Sequence, residues 1–380
     1  MYTSEPVKKA SASILILIFI AGLLAGGLLL FYLNYRQISG LSTQVSELQT
    51  KVSALEGTQN ATYQNITILQ NGTSLSQLYN NVRDSVVLIM GETSDGTVQG
   101  SGFAYHYQGR NIIITNNHVV EDTTSLSVTF SNGKGYAASV IGRDPYVDLA
   151  VVSVPSAPES EFRPVTIVAS STLTVGEQVV AIGNPYGLVG SMTTGVVSAI
   201  GRSITEDTAG GYAIANVIQT STAINPGNSG GLLLNSLGNV VGITTAIVSD
   251  SQGLGFAIPS NAILREIPAL ITTGTYRGHS YLGVTGTDMT YNLAQEINAP
   301  VTYGWKIVTI VSRGPSDGNL KVDDIIIAMN GQTIKGNDDL ASFLEQNTLP
   351  GDTLTLSVIR DNNPTPIDVS VTLGTRPAAT

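Results

Sequence analysis

Between residues 85 and 258 the sequence is a succession of short apolar segments rich in Val, Ile and Thr, separated by Gly, Asn, Asp and Pro. β-Branched residues favour strands, and the separating residues favour turns. The pattern predicts about a dozen strands, at 85–90, 102–107, 111–115, 125–130, 137–142, 149–154, 178–182, 195–200, 215–219, 231–234, 240–246 and 255–258. Short strands at this spacing indicate barrels or a sandwich, because a βαβ fold would need helical segments between them. The folded part is therefore predicted to be mainly β.

Composition narrows the chemistry open to the chain. A length of 380 residues suggests two or three domains, and a formal net charge of −10 argues against nucleic acid as a partner. The sequence has no cysteine and only three histidines, which excludes disulfides and thiolate chemistry and leaves little for a zinc site. We therefore predict no metal and no cofactor, and chemistry carried by protein side chains alone.

Near the N-terminus, residues 11–33 form an almost uncharged apolar run that is long enough as a helix to cross a bilayer. A cleaved signal peptide is the alternative, but its apolar region usually spans about 7–15 residues. Lys8 and Lys9 precede the run and only Arg36 closely follows it, which predicts a cytoplasmic N-terminus. We expect a single-pass membrane anchor, with everything after Leu33 on the extracytoplasmic side.

The segment after the anchor repeats apolar residues with heptad spacing. β-Branched residues at a and Leu at d favour a short coiled-coil stalk with two strands, although an amphipathic helix lying on a neighbouring domain is an alternative for so short a repeat. These positions are Ile38, Leu41, Val45, Leu48, Val52 and Leu55. Three N-glycosylation sequons follow at Asn60, Asn65 and Asn71, which is consistent with an exposed linker outside the membrane.

Ser229 is the candidate nucleophile. It lies in the segment NPGNSGG at 225–231, where neighbouring glycines permit the sharp turn that exposes a serine Oγ and directs backbone N–H groups at one point. An ordinary glycine-rich turn is the alternative if the segment stands alone. The choice therefore depends on partners elsewhere in the chain.

A general base and an acid for Ser229 can be sought among few residues. His118 ends a buried strand and is the preferred base, because His106 lies between tyrosines and His279 lies beyond the strand-rich region, where surface or packing roles are expected. Asp148 opens another apolar strand and is the preferred acid to orient the imidazole. The competing Asp144 stands in an Asp-Pro-Tyr turn, where its carboxylate is expected to cap its own backbone.

Four segments, in this order, resemble the signatures of the HtrA (Deg) serine proteases. They are TNNHVV at 115–120, DPYVDLAV at 144–151, AIGNPYGL at 181–188 and NPGNSGG at 225–231. The resemblance covers about residues 78–376 and implies a chymotrypsin-like double β-barrel with its site between the barrels, followed by a PDZ domain. The order His, Asp, Ser agrees with that fold, whereas an α/β-hydrolase esterase would run Ser, Asp, His.

The resemblance implies a mechanism for these residues. His118 takes the Ser229 proton during attack on a peptide carbonyl and returns it to the leaving amine, while Asp148 orients the ring. The oxyanion hole would be the backbone N–H groups of Gly227 and Ser229, with Asn228 between them. Glycine-containing segments at 183–192 and 201–211 are candidates for the switching loops of the family.

Substrate preference is predicted from the position six residues before the nucleophile, where trypsin-type enzymes carry an acid. This position is Ala223, and with Ile224 it predicts an apolar specificity pocket for small or medium aliphatic residues. Two departures from the family pattern accompany the pocket: Ser221 stands where an acid is usual and Leu232 where a proline is usual.

The C-terminal part resembles a PDZ domain of the HtrA type. Tyr281, Leu282, Gly283 and Val284 match the loop that binds a peptide C-terminus, and a helix around 338–346 would form the other wall of the groove. Further segments of this domain are predicted at 304–311, 320–329 and 353–360.

These inferences divide the chain into an anchor at 1–33, a stalk and linker at 34–73, a protease domain at 74–275, and a PDZ domain with its tail at 276–380. We expect an ATP-independent serine endopeptidase that degrades unfolded or misfolded extracytoplasmic proteins. A membrane-tethered chaperone or peptide-binding scaffold with little proteolysis is the alternative. The family resemblance favours a homotrimer, whereas the stalk pattern favours two strands.

Overall fold

The computed structural model describes residues 32, 36, 74–184, 190–205, 213–245 and 254–378. Residues 68–380 form one compact unit, which contains every element and contact discussed below. Within the described residues no helix is long and apolar enough to cross a membrane. The predicted anchor, apart from Tyr32, lies outside the described residues, as do the heptad positions of the predicted stalk and the three sequons.

The first twelve strands follow the predicted pattern closely, since each predicted segment overlaps one of them. They are β1 Val86–Thr93, β2 Gly96–Tyr107, β3 Arg110–Thr115, β4 Ser125–Thr129, β5 Gly135–Asp144, β6 Leu149–Ser153, β7 Gln178–Gly183, β8 Ser191–Thr205, β9 Ala213–Thr220, β10 Leu232–Leu234, β11 Val240–Thr245 and β12 Gly255–Pro259. Helix α1 (Leu75–Val82) precedes them, the turn α2 (Asn117–Val120) follows β3, and α3 (Ser260–Thr273) follows β12.

The twelve strands close into two six-stranded barrels, which decides between the barrel and sandwich alternatives. The first has the order β1-β2-β3-β6-β5-β4 and the second β10-β11-β12-β9-β8-β7. Closure comes from non-local pairing: Leu88 of β1 is opposite Ser101 of β2 on one side and Thr129 of β4 on the other. The same closure joins β7 to both β8 and β10 in the second barrel.

Strands at the junction of the barrels are buried on both faces, which explains their continuous apolar sequences. In β3, Ile113 faces the interior of the first barrel, whereas Ile112 and Ile114 belong to a larger core shared with the second barrel. Helix α3 adds Ile263 and Leu270 to the shared core. Because this apolar junction fixes the two barrels together, the loops at its rim are held at defined positions.

The C-terminal region contains a six-stranded sheet and two helices, and its main core includes Trp305, Leu340, Phe343 and Leu356. The sheet order is β14-β15-β16-β18-β19, with β17 beside β16, while β13 pairs with β20. The elements are β13 Ser280–Tyr281, β14 Val284–Asp288, α4 Tyr291–Glu296, β15 Trp305–Ile310, β16 Ile325–Met329, β17 Gln332–Thr333, α5 Asn337–Asn347, β18 Thr353–Ile359, β19 Ile367–Thr372 and β20 Gly374–Thr375.

A buried ionic cluster connects this sheet region to the barrels. His279 Nε2 lies 2.6 Å from Asp144 Oδ2 at the end of β5, and its Nδ1 lies 3.1 Å from Glu345 Oε2 in α5. Arg265 of α3 donates to Glu266 at 2.5 Å and also to Glu345. Burial alone would lower the pKa of His279, but hydrogen bonds and charges from the two carboxylates outweigh it and raise the pKa to about 10.

Candidate active site

His118 and Asp148 are brought together by the first barrel. His118 lies in the turn α2 directly after β3, and Asp148 immediately precedes β6, the neighbour of β3 in the sheet. The imidazole Nδ1 is 2.9 Å from Asp148 Oδ2, and the backbone N–H of His118 donates to Asp148 Oδ1 at 3.0 Å. The carboxylate thus fixes both the position and the ring orientation of His118, and directs Nε2 away from itself.

Asp148 is fully buried and is held from several directions. The Asn116 side-chain amide donates to its backbone oxygen at 2.9 Å, and the hydroxyl of Thr245 donates to Oδ2 at 3.3 Å. The competing acid, Asp144, accepts the N–H of Tyr146 at 2.9 Å, so the predicted capping of its own turn is confirmed. Asp144 is bonded to His279, so the two acids serve different histidines.

The other two histidines also differ from His118. His106 is exposed on β2 and contacts Asn111, in line with the surface role expected for it. His279 is buried, but it takes part in the ionic cluster rather than in an apolar core. No local pattern marks that cluster, because Asp144, His279 and Glu345 are far apart along the chain.

Ser229 lies in a tight turn that enters β10 of the second barrel. The N–H of Asn228 donates to Asn225 O at 2.9 Å, and the N–H of Gly231 donates to Asn228 O at 2.8 Å. On the first barrel, the N–H of Ser101 donates to the Ser229 carbonyl at 2.7 Å. The nucleophile candidate is therefore attached by backbone bonds to both barrels, at the junction that also carries Asp148.

Gly230 shows why this turn needs glycine. Its φ is +82°, in the left-handed region, and a Cβ there would stand 2.0 Å from Ser101 O and 2.3 Å from Thr115 Oγ1. Gly227 has a φ of +92° as well. The positive φ favours glycine at both positions, and the close approach of Ser101 adds a steric requirement for glycine at Gly230. An ordinary glycine-rich turn would not impose that steric requirement.

The backbone N–H groups around Ser229 differ in whether they are already hydrogen-bonded within the protein. Asn228, Gly230 and Gly231 donate to backbone oxygens, whereas Gly227 N–H donates to no described residue. The Asn228 side chain is buried, and a Cβ at Gly183 would stand 2.5 Å from its Oδ1. Asn228 thus packs against Gly183, and its own N–H is already hydrogen-bonded to Asn225 O.

Two residues at the site were not identified from the sequence. Thr245, at the end of β11, reaches across from the second barrel to Asp148. Ser101, on β2, contacts both Ser229 and Gly227. Each contact joins residues that are 97 or more positions apart in sequence, so no local pattern marks them.

The residues predicted for the specificity pocket lie between the end of β9 and the turn that carries Ser229. Ala223 is exposed, and its carbonyl accepts a hydrogen bond from Thr193 at 2.9 Å. Ile224 is half-buried and packs on the core of the second barrel. Gly255 makes room for it, since a Cβ there would stand 2.7 Å from Ile224 Cγ1.

The predicted peptide-binding loop of the C-terminal region runs from β13 into β14, a strand at the edge of the described sheet. Leu282 is buried in the core, and its carbonyl accepts the hydroxyl of Ser316 at 2.6 Å. Gly283 has a φ of +76° and accepts the N–H of Val311. Tyr281 ends β13, while Val284 begins the edge strand.

Two six-stranded barrels with a His–Asp pair on one and a serine-bearing glycine turn on the other define the trypsin-like class of serine peptidase, here followed by a peptide-binding type of β domain. In agreement, the trypsin-like peptidase domain family matches residues 100–243, and the PDZ domain family matches residues 280–371. The chain belongs to the HtrA family of serine proteases.

Individual relatives support this assignment. The chain is 40% identical over 284 residues to the probable periplasmic serine endoprotease DegP-like of Chlamydia pneumoniae, covering 73% of this chain and 56% of that protein. It is 36% identical over 272 residues to the serine protease Do-like HtrB of Bacillus subtilis strain 168, covering 68% of this chain and 59% of that protein. The chain thus spans between half and two thirds of the length of these relatives.

A solved structure extends the similarity to the fold. The HtrA-type protease AlgW with tripeptide superposes with a TM-score of 0.65 at 30% identity, and the match covers 80% of this chain and 98% of that one.

Proposed function

We propose that the chain is a serine endopeptidase, with Ser229 as nucleophile, His118 as general base and then acid, and Asp148 as the group that orients the imidazole. The observation that carries this proposal is the contact of Asp148 Oδ2 with His118 Nδ1, which directs the other ring nitrogen away from the acid. His118 accepts the Ser229 proton as Oγ attacks a peptide carbonyl. It then protonates the leaving amine, and water hydrolyses the acyl-enzyme.

The oxyanion hole of the proposed mechanism consists of the N–H groups of Gly227 and Ser229. Support comes from the Gly227 N–H, which no described residue accepts, and from the turn at Asn228, whose N–H is used internally. Two backbone donors on one turn would bind the tetrahedral oxygen without reorganisation during the reaction.

The proposed specificity is for small or medium aliphatic residues before the cleaved bond. It rests on the uncharged Ala223 and on Ile224, since a pocket without an acid has no partner for Lys or Arg. Profiling with a peptide library tests it, and dominant cleavage after basic residues would contradict it.

The proposed substrates are unfolded or misfolded extracytoplasmic proteins, with the loop at residues 281–284 binding peptide C-termini. Relatives named as periplasmic endoproteases support the compartment, and the edge position of β14 supports pairing with an extended peptide. We further propose a single-pass anchor at 11–33 and a homo-oligomer. Light scattering on the chain with and without residues 38–55 distinguishes a stalk-driven dimer from a trimer formed by the folded part.

The central experiment is degradation of casein without ATP by the full chain and by Ser229→Ala. Cleavage by the wild type and its loss in the variant are expected, because no other hydroxyl replaces Oγ. A His106→Gln variant is the matched control and should retain activity, since His106 is exposed on the outer part of β2. Undiminished degradation by Ser229→Ala would refute the assignment, and absence of wild-type cleavage would favour the scaffold alternative.

A further inference from the structure

Ser101 is a buried serine on β2 whose N–H and hydroxyl are bonded to loop residues of the candidate active site. Its relative exposure is 0%. The N–H donates to Ser229 O at 2.7 Å, and the carbonyl accepts the Thr115 hydroxyl at 2.7 Å. The hydroxyl itself donates to Gly227 O at 2.6 Å and accepts the N–H of Asn184 at 2.7 Å.

The direction of these bonds follows from the single proton of a hydroxyl group. The Asn184 N–H can only donate, so it occupies a lone pair of Ser101 Oγ. The hydroxyl proton is thereby directed to the carbonyl of Gly227, which can only accept. These two hydrogen bonds form a relay from the N–H of Asn184 through the Ser101 hydroxyl to the carbonyl of Gly227. The relay connects the end of β7, a strand of the first barrel and the turn that carries Ser229.

This relay fixes one peptide plane of the turn at both ends. The carbonyl of Gly227 is bonded to Ser101, and the N–H of the same peptide, on Asn228, is bonded to Asn225 O at 2.9 Å. When the Gly227–Asn228 peptide plane is held in this way, rotation about the backbone bonds of Gly227 is restricted, and its N–H cannot easily turn away from a tetrahedral oxygen. Gly227 needs such a restraint because its φ is positive and a glycine has many other backbone conformations open to it.

We propose that Ser101 is a positioning residue for the oxyanion hole: its hydroxyl holds the Gly227 carbonyl so that the Gly227 N–H is directed at the oxygen formed when Ser229 attacks. The inference rests on the proposed peptidase function and deepens it. Ser101 touches neither substrate nor the reacting atoms. It acts through Gly227.

Ser101→Ala in the full chain tests the proposal. For a short peptide amide we expect kcat to fall by roughly 10- to 100-fold, somewhat less than the loss of a whole oxyanion donor, with KM changed by less than about 2-fold. The affinity for a peptide boronate, which forms a tetrahedral adduct with an oxygen in the hole, should fall by the same factor as kcat. The midpoint of the pH profile of kcat/KM should stay unchanged, since the contact of His118 with Asp148 is untouched.

Ser260→Ala is the matched control. Ser260 is also fully buried, and its hydroxyl also donates to a backbone carbonyl, Val168 O, at 2.5 Å. It lies at the start of α3, so its loss should lower thermal stability to a similar extent while leaving kcat unchanged. Ser101→Cys, which keeps a weaker donor of similar size, should give an intermediate kcat and serves as the test variant if the alanine variant does not fold.

Labelling by a fluorophosphonate separates the possible outcomes. Wild type labelled at Ser229, with slower labelling and lower kcat in folded Ser101→Ala, supports the inference. Labelling and kcat equal to wild type in that variant would overturn the inference alone, and so would an equal kcat loss in Ser260→Ala. A wild type that is neither labelled nor active would overturn the proposed function and this inference with it.

Discussion

Asp148 adopts a φ of +53°, in the left-handed region that Asp and Asn tolerate better than other side chains. Its carboxylate receives the backbone N–H of His118, the ring Nδ1 and the hydroxyl of Thr245. A carboxylate can only accept hydrogen bonds, so each of these three partners donates to it. The Nδ1 atom of His118 therefore carries a proton, and in the neutral ring Nε2 is the atom that can accept one.

Replacing Asp148 with Asn should leave the fold intact and inactivate the enzyme. Asparagine tolerates the same backbone conformation, but its amide presents a donor where the ring N–H now donates. We expect kcat to fall by about 10⁴-fold. Thr245→Val, which removes only the 3.3 Å contact, should cost less than about 10-fold. Peptide hydrolysis with circular dichroism checks both, and an Asn variant with a tenth of wild-type kcat would contradict the assigned role.

Gly230 provides a residue-scale test of packing against strain. Gly133 has nearly the same φ, +83°, but a Cβ there meets nothing within 4 Å, whereas at Gly230 it meets the carbonyl oxygen of Ser101 at 2.0 Å. Gly133→Ala should therefore cost about 1 kcal/mol for conformation alone. Gly230→Ala should cost several times more, because a backbone oxygen in β2 must move. Denaturant unfolding of both variants measures the difference, and equal costs would rule out a steric origin.

At the scale of elements, local pattern was informative where strands are buried on both faces. The run Ile112–Ile114 and the run Leu149–Val152 predicted β3 and β6 because alternate side chains feed two different cores. Closure into two barrels was predicted by the family resemblance and not by the local pattern, since it depends on pairs such as Leu88 with Thr129 that no local pattern specifies. Helices α3 and α4 and strand β19 were not predicted from the sequence.

The residues of the candidate site were likewise predicted only where a local sequence pattern marks them. His118, Asp148 and Ser229 were found because each lies in a short segment with a recognisable pattern. Ser101 and Thr245 were missed because a buried hydroxyl on a strand has no sequence signature, and its role is defined only by partners far along the chain.

Helix α5 offers an element-scale prediction, because two acids in its first turn have different partners. Asp338 accepts the N–H of Ser203 in β8 at 2.8 Å and contacts Arg202, whereas Asp339 accepts, among the described residues, only the nearby N–H of Lys335. The ion pair with Arg202 is largely exposed and contributes little, so the bond to Ser203 dominates.

Asp338→Ala should therefore loosen β8 at Ser203 while leaving the helix formed and the bond from Ser342 to Gly201 O intact. Loss of about 1 kcal/mol corresponds to roughly a 5-fold faster hydrogen exchange at the Ser203 amide. Asp339→Ala removes an equivalent charge from the helix N-terminus and should leave that amide protected. Equal acceleration in both variants would show that the effect comes from the helix and not from the contact.

At the scale of the whole molecule, the barrels and the C-terminal region share buried charges at His279. Burial opposes a charged Glu345, but hydrogen bonding and charge from His279, with Arg265 and Arg376, lower its pKa to about 2. Glu266 is fully buried, and its pKa is raised well above the ordinary value, first by burial and then by Asp144. The junction thus contains carboxyls shifted in opposite directions.

The shift of Glu345 predicts loss of stability in acid. Its folded pKa lies below the ordinary value of 4.5, so its contribution is complete above about pH 4.5 and is lost as pH falls towards 2. Glu345→Gln should be less stable than wild type at pH 6, with a difference that narrows below pH 4. Denaturant unfolding as a function of pH measures this. A difference that stays constant down to pH 2.5 would contradict the assigned charge.

The shift of His279 has the opposite sign and predicts loss of stability in alkali. Its folded pKa of about 10 exceeds the ordinary value of 6.5, so the charged ring stabilises fully below about pH 6.5 and its contribution disappears as pH rises through 10. His279→Asn cannot gain this charge. It should be less stable than wild type by on the order of a few kcal/mol at pH 6, and the difference should shrink steadily between pH 7 and 10.

His106→Gln, which alters an exposed histidine bonded only to Asn111 among the described contacts, should follow the wild-type curve throughout. Urea unfolding of the three proteins from pH 6 to 10 decides the matter: a gap for His279→Asn that does not change with pH would mean that the ring joins barrel and sheet by packing, without its proton.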